Sequence, residues 1–385
     1  MLFSEYFDPV SLEKPSEDFL INPNLFCKHI TINTLDNPIR DINNIQIAII
    51  GVPEERGSST KGCAFAPDVI RNSLYKLNCI NPKLKIADLG NLKKGGKTKD
   101  TYFGLRDVIL ELLEHKITSI IIGGSQDITY GLVMAFEHLQ QQYNLTTIDY
   151  KYDLAFESYQ NVTSLNYLNS IILEGKHLFE YTNIGQQVCF IPQESNDIFE
   201  NLFHEGLRLG NIRNNLKETE PYLRDSDIVS FDICSVKHAD APGQTFASPN
   251  GLTSEDACQI AKYSGSGEKN KVFGIFELNP AQDMNNTTSA LAAQVIWYFL
   301  DGFNLRKNEN PALNPDEFKH FIISLDETNK MVFYKSPLTY RWWCEVPVKK
   351  NKNSKIIISC SETDYLKAGN HEIPDRWIKL FKKLN

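Results

Sequence analysis

The chain is predicted to be a three-layer α/β/α domain built on a mainly parallel central sheet. Three observations predict this. Apolar strand-type runs alternate with helical segments from Ile45 to Leu300, a pattern that implies a parallel sheet covered on both faces. Three of those runs are followed directly by segments rich in Asp, Gly and Ser. In a parallel sheet the strand C-terminal ends open on one crevice, so such segments converge. Finally, 42% hydrophobic and 23% charged residues in 385 are ordinary for a soluble globular protein, and length is no obstacle to a core.

Residues 1–43 are polar and broken by Pro9, Pro15, Pro23 and Pro38, and read as an irregular arm. Residues 44–305 then form the main domain. Ile45 to Ile50 is a buried strand by its aliphatic run. Pro67 is placed to start a helix through Leu77, since proline suits a first turn. Leu84 to Leu89 is a strand, Tyr102 to Glu114 a helix, and Thr118 to Ile122 the next strand. Ile128 to Gln142 is helical, and Thr146 to Ile148 a strand. Val188 to Ile191, Asp227 to Phe231 and Val272 to Phe276 are further strands. Ser254 to Tyr263 and Ser289 to Leu300 are helices. Residues 306–385 change pattern and read as an extension packed on the same domain. Phe321 to Leu325 and Met331 to Tyr334 flank Asp326-Glu327-Thr328-Asn329, a hairpin signal. Trp342, Trp343 and Ile356 to Ser359 suggest more strands, and Arg376 to Leu384 a short amphipathic helix.

Composition excludes several functions. A formal charge of -8 argues against nucleic acid, which needs a basic face. The run Lys349-Lys350-Asn351-Lys352 is a solvated turn by default. The longest apolar runs fall short of a membrane span, and Met1 to Pro15 is no signal peptide. Eight scattered cysteines without a Cys-x-x-Cys pair suit a reducing cytoplasm.

The three converging segments are Gly123-Gly124-Ser125-Gln126-Asp127, Asp149-Tyr150-Lys151-Tyr152-Asp153 and Ser230-Phe231-Asp232-Ile233-Cys234. Together they resemble the ureohydrolases: arginase, agmatinase and formimidoylglutamase. Members carry Gly-Gly-x-His, Asp-Ala-His-x-Asp and Ser-x-Asp-x-Asp, which supply six ligands to two manganese ions. Further matches are Gly51-Val52-Pro53 through Gly62, Ala66-Pro67 and Ile70-Arg71, then Ala241-Pro242-Gly243 with Gly251, and Glu277-Leu278-Asn279-Pro280. The resemblance spans roughly residues 45 to 305. The stretch Asp240-Ala241-Pro242-Gly243 is closer to the formimidoylglutamase branch. No His lies between 139 and 176, where arginase-like members place a proton-transferring one.

The resemblance implies an arginase-like fold and assigns the site residue by residue. Asp149, Asp153 and Asp232 keep their ligand positions. Gln126, Lys151 and Cys234 stand where the family has His, His and Asp. Asp153 and Glu277 are substrate-facing or vestigial catalytic positions. The first ion's positions are Gln126, Asp149, Asp153 and Asp232, and the second adds Lys151 and Cys234. A lysine ammonium has no lone pair, and Cys234 ligates only as thiolate. Three aspartates against one lysine leave a surplus of two negative charges. Protons or one divalent ion would balance it. The oxygen set, counting a carbonyl from Gln126, suits Mg²⁺, Ca²⁺ or Mn²⁺. No manganese pair is expected, and at most one divalent cation. Lys151 is expected to lie between Asp149 and Asp232 as a substitute cation.

Plainer readings stand beside these. Asp149 and Asp153 in isolation are a helix cap and a solvated loop residue. Cys234 is an inert buried thiol by default. His238 is a surface residue. The loop from Glu54 to Gly62 lacks phosphate-loop spacing and reads as a rim. The function expected is therefore a ureohydrolase-fold protein that has lost conventional catalysis, with a small amino-acid or amidine ligand; a homo-oligomer is open. The alternatives are a C–N hydrolase of linear amidines using one metal or altered chemistry, and an interaction module whose partner surface is the aromatic tail near Trp342 and Trp343.

Overall fold

The computed structural model describes residues 3–11, 22–59, 61–155, 160–244, 246–325, 330–348 and 354–385. The hairpin turn at 326–329 and the basic run at 349–352 lie outside them. Among the described residues ten strands form one sheet. They are β1 (Phe7–Asp8), β2 (Thr31–Ile32), β3 (Ile47–Gly51), β4 (Ile86–Leu92), β5 (Thr118–Ile122), β6 (Tyr143–Ile148), β7 (Leu178–Gln186), β8 (Glu205–Arg208), β9 (Ile228–Asp232) and β10 (Val272–Phe276). Their order is β1-β4-β3-β5-β10-β9-β6-β7-β8, with β2 also on β4. Every pair is parallel except β1 with β4.

The pleat divides the core in two. In β3, Ile47 and Ile49 join one apolar cluster and Ala48 and Ile50 the other, because successive strand side chains point to opposite faces. Helices Ala66–Leu74, Ser254–Gly265 and Thr287–Asn304 cover the first face, and Thr98–Glu114 and Ile128–Leu139 the second. All five residues of β3, β5, β9 and β10 are buried, as central parallel strands require. No helix among the described residues is long and apolar enough to cross a membrane.

One expected strand is displaced. Residues 188–190 form a 3₁₀ turn, and the strand is β7, just before it. β7 carries Glu180, Thr182, Asn183 and Gln186, all buried. Its polar sequence hides a strand that tertiary partners satisfy, while the apolar Val188 and Phe190 sit about half exposed.

Beyond residue 305, β11 (Lys319–Ser324), β12 (Lys330–Lys335), β13 (Trp342–Val348) and β14 (Ser354–Cys360) form an antiparallel sheet in that order. Helices Glu362–Gly369 and Asp375–Leu384 follow. Phe333, Trp342, Val346, Ile358 and Leu380 make a separate apolar cluster. Trp342 and Trp343 are buried, at 4% and 7% exposure. Neither indole is itself open to a partner; Trp343 is covered by the Arg224 guanidinium, 4.3 Å from its ring centre. The tail is tied to the body by charge. Arg376 donates to Glu180 Oε2 and Asp225 Oδ2, both at 2.9 Å. Ser359 donates to Asp225 through its N–H at 2.8 Å and its hydroxyl at 2.7 Å.

Candidate functional site

Strands β5, β10, β9 and β6 are consecutive neighbours, so their C-terminal ends bring four segments together. Gln126 follows β5, Glu277 follows β10, Asp232 ends β9, and Asp149 to Asp153 follow β6. The turn after β5 needs its two glycines. Gly123 and Gly124 have φ of 79° and 80°, which only glycine adopts without cost. A Cβ on Gly124 would also lie 2.5 Å from Val52 O and 2.6 Å from Glu54 O.

That turn sets up a reciprocal clamp. The Gln126 N–H donates to Glu277 Oε1 at 2.8 Å, and the Glu277 N–H to Gly124 O at 3.0 Å. Glu277 itself has φ 62°, a left-handed conformation that costs a non-glycine residue about 1 kcal/mol or more and persists where neighbours impose it. Its Oε2 has no partner among the described residues. Asp232 Oδ1 accepts from the Cys234 N–H at 2.7 Å, and Asp149 Oδ1 from the Lys151 N–H at 3.2 Å.

Lys151 sits elsewhere than expected. Its ammonium pairs with Asp153, not between Asp149 and Asp232. Asp149, preceding it, receives only its backbone N–H. The two-residue spacing from Lys151 to Asp153 lets the side chain fold back locally. Asn183 fixes the backbone by donating to Lys151 O at 3.1 Å. Without a metal, the Gln126 amide is best satisfied with its nitrogen toward the carboxylates, donating to Asp149 Oδ2 at 3.2 Å and Asp153 Oδ2 at 3.1 Å. Its oxygen then accepts from Tyr167 and Ser230, each at 3.3 Å. The opposite face of the same amide would turn the carbonyl oxygen to the carboxylates.

These carboxylates are crowded. Burial, then the charges of Asp153 and Asp232, push the Asp149 pKa well above the usual carboxylate range. Burial likewise raises Asp232 to about 7, against the Cys234 N–H that lowers it. Glu277 is raised by burial and by Asp232. Burial pulls the Lys151 amine down, but Asp153 and Asp149 outweigh it, so it stays charged. Burial, Asp232 and Glu277 all push the Cys234 thiol up, away from thiolate. Among the described residues no group of three or more His, Cys, Asp or Glu is arranged to hold a metal ion.

Two parts of the site were not singled out from sequence. Asp127 is fully buried, accepts from the Tyr102 hydroxyl, and is raised to about 6 chiefly by burial. Its signal was its place directly after Gln126. Tyr167 gives no local signal. The loop expected to be a rim exposes Arg56, Ser59 and Lys61, and its buried start also buttresses the Gly-Gly turn. Glu54 is fully buried, and its backbone oxygen accepts from the Ser125 N–H at 2.9 Å. Burial would raise its pKa, but Arg56 and Thr101 hold it at about 2. His238 is exposed, as its surface reading expects.

The Arginase family model matches residues 45–301. A formimidoylglutamase of Staphylococcus carnosus (strain TM300) is 24% identical over 286 residues, covering 68% of this chain and 90% of the relative. The human mitochondrial guanidino acid hydrolase is 22% identical over 306 residues, covering 75% and 86%. Among solved structures, Trypanosoma cruzi formiminoglutamase with Mn²⁺ aligns at TM-score 0.65 and 18% identity, covering 70% of this chain and 97% of that one. Bacillus subtilis formimidoylglutamase aligns at 0.64 and 19%, covering 79% and 98%. These likenesses show a shared fold; the family match stops before β11.

Proposed function

The chain belongs to the arginase family, and on that premise we propose that it is a ureohydrolase-fold protein without conventional dimanganese hydrolysis, acting as a binding or regulatory protein. The carrying observation is the Lys151 ammonium paired with Asp153 inside the crevice. A cation tethered to the chain takes over part of the work of a metal, which is to neutralise buried carboxylates.

The donor chemistry supports this reading. A metal pair needs lone pairs at Lys151 and Cys234. The first has none while protonated, and both carboxylate neighbours keep it so. The second is held as a thiol by burial and adjacent acids. With its nitrogen toward the carboxylates, Gln126 adds two N–H donors to Asp149 and Asp153. The crevice is thus supplied with donors where the family supplies ligands. It keeps room for one divalent cation at most, Mg²⁺, Ca²⁺ or Mn²⁺, and for a small amino-acid or amidine ligand. The cysteines are all free, which suits a cytoplasmic setting.

One observation favours the second reading, a hydrolase of linear amidines by altered chemistry. Glu277 is buried with Oε2 unpartnered among the described residues, as a ligand-facing carboxylate would be. Elemental analysis after purification with manganese, together with an assay on formimidoylglutamate and arginine, decides between them. The expected result is less than one manganese per chain and no turnover. Two bound manganese ions, or turnover at ordinary enzymatic rates, would sink the proposal. In the converse test, Gln126→His, Lys151→His and Cys234→Asp together should create manganese binding. If this variant folds and still binds none, the three substitutions are not what closed the site.

A further inference from the structure

At the opposite end of the sheet, beside the residues leading into β9 and β10, body and tail enclose a cavity of about 390 Å³. Arg224, Lys269, Lys271 and Arg341 line it, together with four carboxylates. The acids are already occupied. Asp225 takes the two Ser359 bonds and Arg376. Glu268 Oε1 accepts from the N–H groups of Lys307 and Asn308, at 2.8 and 2.7 Å. Glu309 accepts from the hydroxyls of Ser336 and Thr339. Asp227 Oδ2 accepts from the Asn144 N–H at 2.9 Å.

The cations are matched less completely. Arg224 and Arg341 share Glu220, at 3.0 and 3.1 Å, and Arg224 Nη2 donates to Trp342 O at 3.0 Å. Arg224 is 4% exposed, and its Nη1 still has no partner among the described residues. The Lys271 amine reaches Glu268 O only at 3.4 Å, and Lys269 reaches Asp225 Oδ1 only at 3.4 Å, long for charged hydrogen bonds. A buried guanidinium N–H left unpaired is costly, so such a group normally finds an acceptor.

The geometry points to a binding site for a small oxyanion, a carboxylate or phosphate group, held by Arg224, Lys269 and Lys271 at the junction of body and tail. Its ligand is an anion, unlike any cation or amidine bound in the crevice. The electrostatics agree. Burial and the Arg306 cation pull the Lys271 amine down. Burial lowers Arg341 as well, and its Arg224 neighbour adds to that against Glu220. Burial, with Arg341 adding to it against Glu268, lowers Arg306 to about 10. A bound anion would relieve Lys271 and Arg341, which line the cavity. Because the cavity walls come from both units, an anion there also fastens the tail to the body.

The test uses the intact chain. Inorganic phosphate and acetate are titrated separately by calorimetry, with chloride holding ionic strength constant. One saturable site is expected for at least one anion, with a rise in melting temperature beyond the chloride control. A response to phosphate alone assigns a phosphate group, and a response to acetate alone a carboxylate. Lys269→Met with Lys271→Met should weaken binding about tenfold or more. If that pair fails to fold, Lys269→Gln alone, at a half-exposed position, should weaken it about severalfold. No effect beyond chloride from either anion, or unchanged affinity in a folded lysine variant, overturns the proposal.

Discussion

Two buried charge clusters lie at opposite ends of the central sheet, and they are neutralised differently. At the tail junction, Asp225 meets Arg376, Lys269 and the Ser359 donors, and burial is outweighed so that its pKa falls below the usual range. In the crevice Lys151 pairs with Asp153, and burial raises Asp149, Asp232 and Glu277. The first cluster is a structural fastening centred on Asp225, whose carboxylate is met on several sides, while Arg224 Nη1 beside it is left without a partner among the described residues. The second leaves its carboxylates without a matched set of cations, so burial favours their protonated forms. Burial alone does not distinguish a site from a staple; the ratio of cations to carboxylates does.

The largest expected effect breaks the fastening. Arg376→Met leaves buried Glu180 without its ion-pair partner and Asp225 with only one cation, the longer Lys269 contact at 3.4 Å, and removing one partner of such a pair costs about 3–5 kcal/mol. Urea unfolding should show that loss, with β13 and β14 losing hydrogen-exchange protection first. A loss under about 1 kcal/mol would mean that the junction is not matched as described.

Lys151→Met should cost less, about 1–2 kcal/mol near neutral pH, because its side chain is 19% exposed and its neighbours can hold protons instead. The sign follows from the partners. The Lys151 pKa is raised on folding, so its contribution is present below its unfolded value and lost only in strong alkali. At the acid side the penalty of the substitution shrinks as pH drops through about 7, where Asp232 takes its proton. Adding a divalent cation should recover part of the loss. An unchanged melting temperature at pH 8, with and without metal, would remove the substitute-cation reading.

The smallest effect sharpens the contrast from the junction side. Asp227 lies beside the matched pair yet is raised to about 6, mainly by burial. Its stabilising contribution is therefore full below its unfolded value of 3.8 and lost as pH rises through about 6. Asp227→Asn keeps an acceptor for the Asn144 N–H and should gain about 1 kcal/mol at pH 7.5 relative to pH 4. Chemical denaturation at the two pH values checks it. An equal effect at both would show that Asp227 is already neutralised.

Much of the site was legible because its information is local. The Gly123-Gly124 turn, the Asp149 to Asp153 spacing and the Asp232 to Cys234 spacing each sit at a strand end, and parallel topology makes strand ends meet. The orientation of Gln126 was not legible. An amide presents either face, and only the surrounding carboxylates, Tyr167 and Ser230 select one. The partner of Lys151 was missed for a related reason. Backbone alternation places a residue on a side of the strand, but the long side chain is free to reach the nearer Asp153.

The sequence by itself determined the alternation of elements, the parallel sheet, and which residue types meet in the crevice, because periodicity and strand-end spacing are short-range properties. It also carried the family. Only the tertiary structure decided that β7 is a strand despite its polar residues, that Trp342 and Trp343 are core, and that the Glu54 loop lies beneath the Gly-Gly turn. Each of these depends on partners distant in the chain: Arg376 for Glu180, Arg224 for Trp343, Ser125 for Glu54. Desolvation is set by the whole packed neighbourhood, so whether a buried charge is matched or left over appears only once the chain has folded around it.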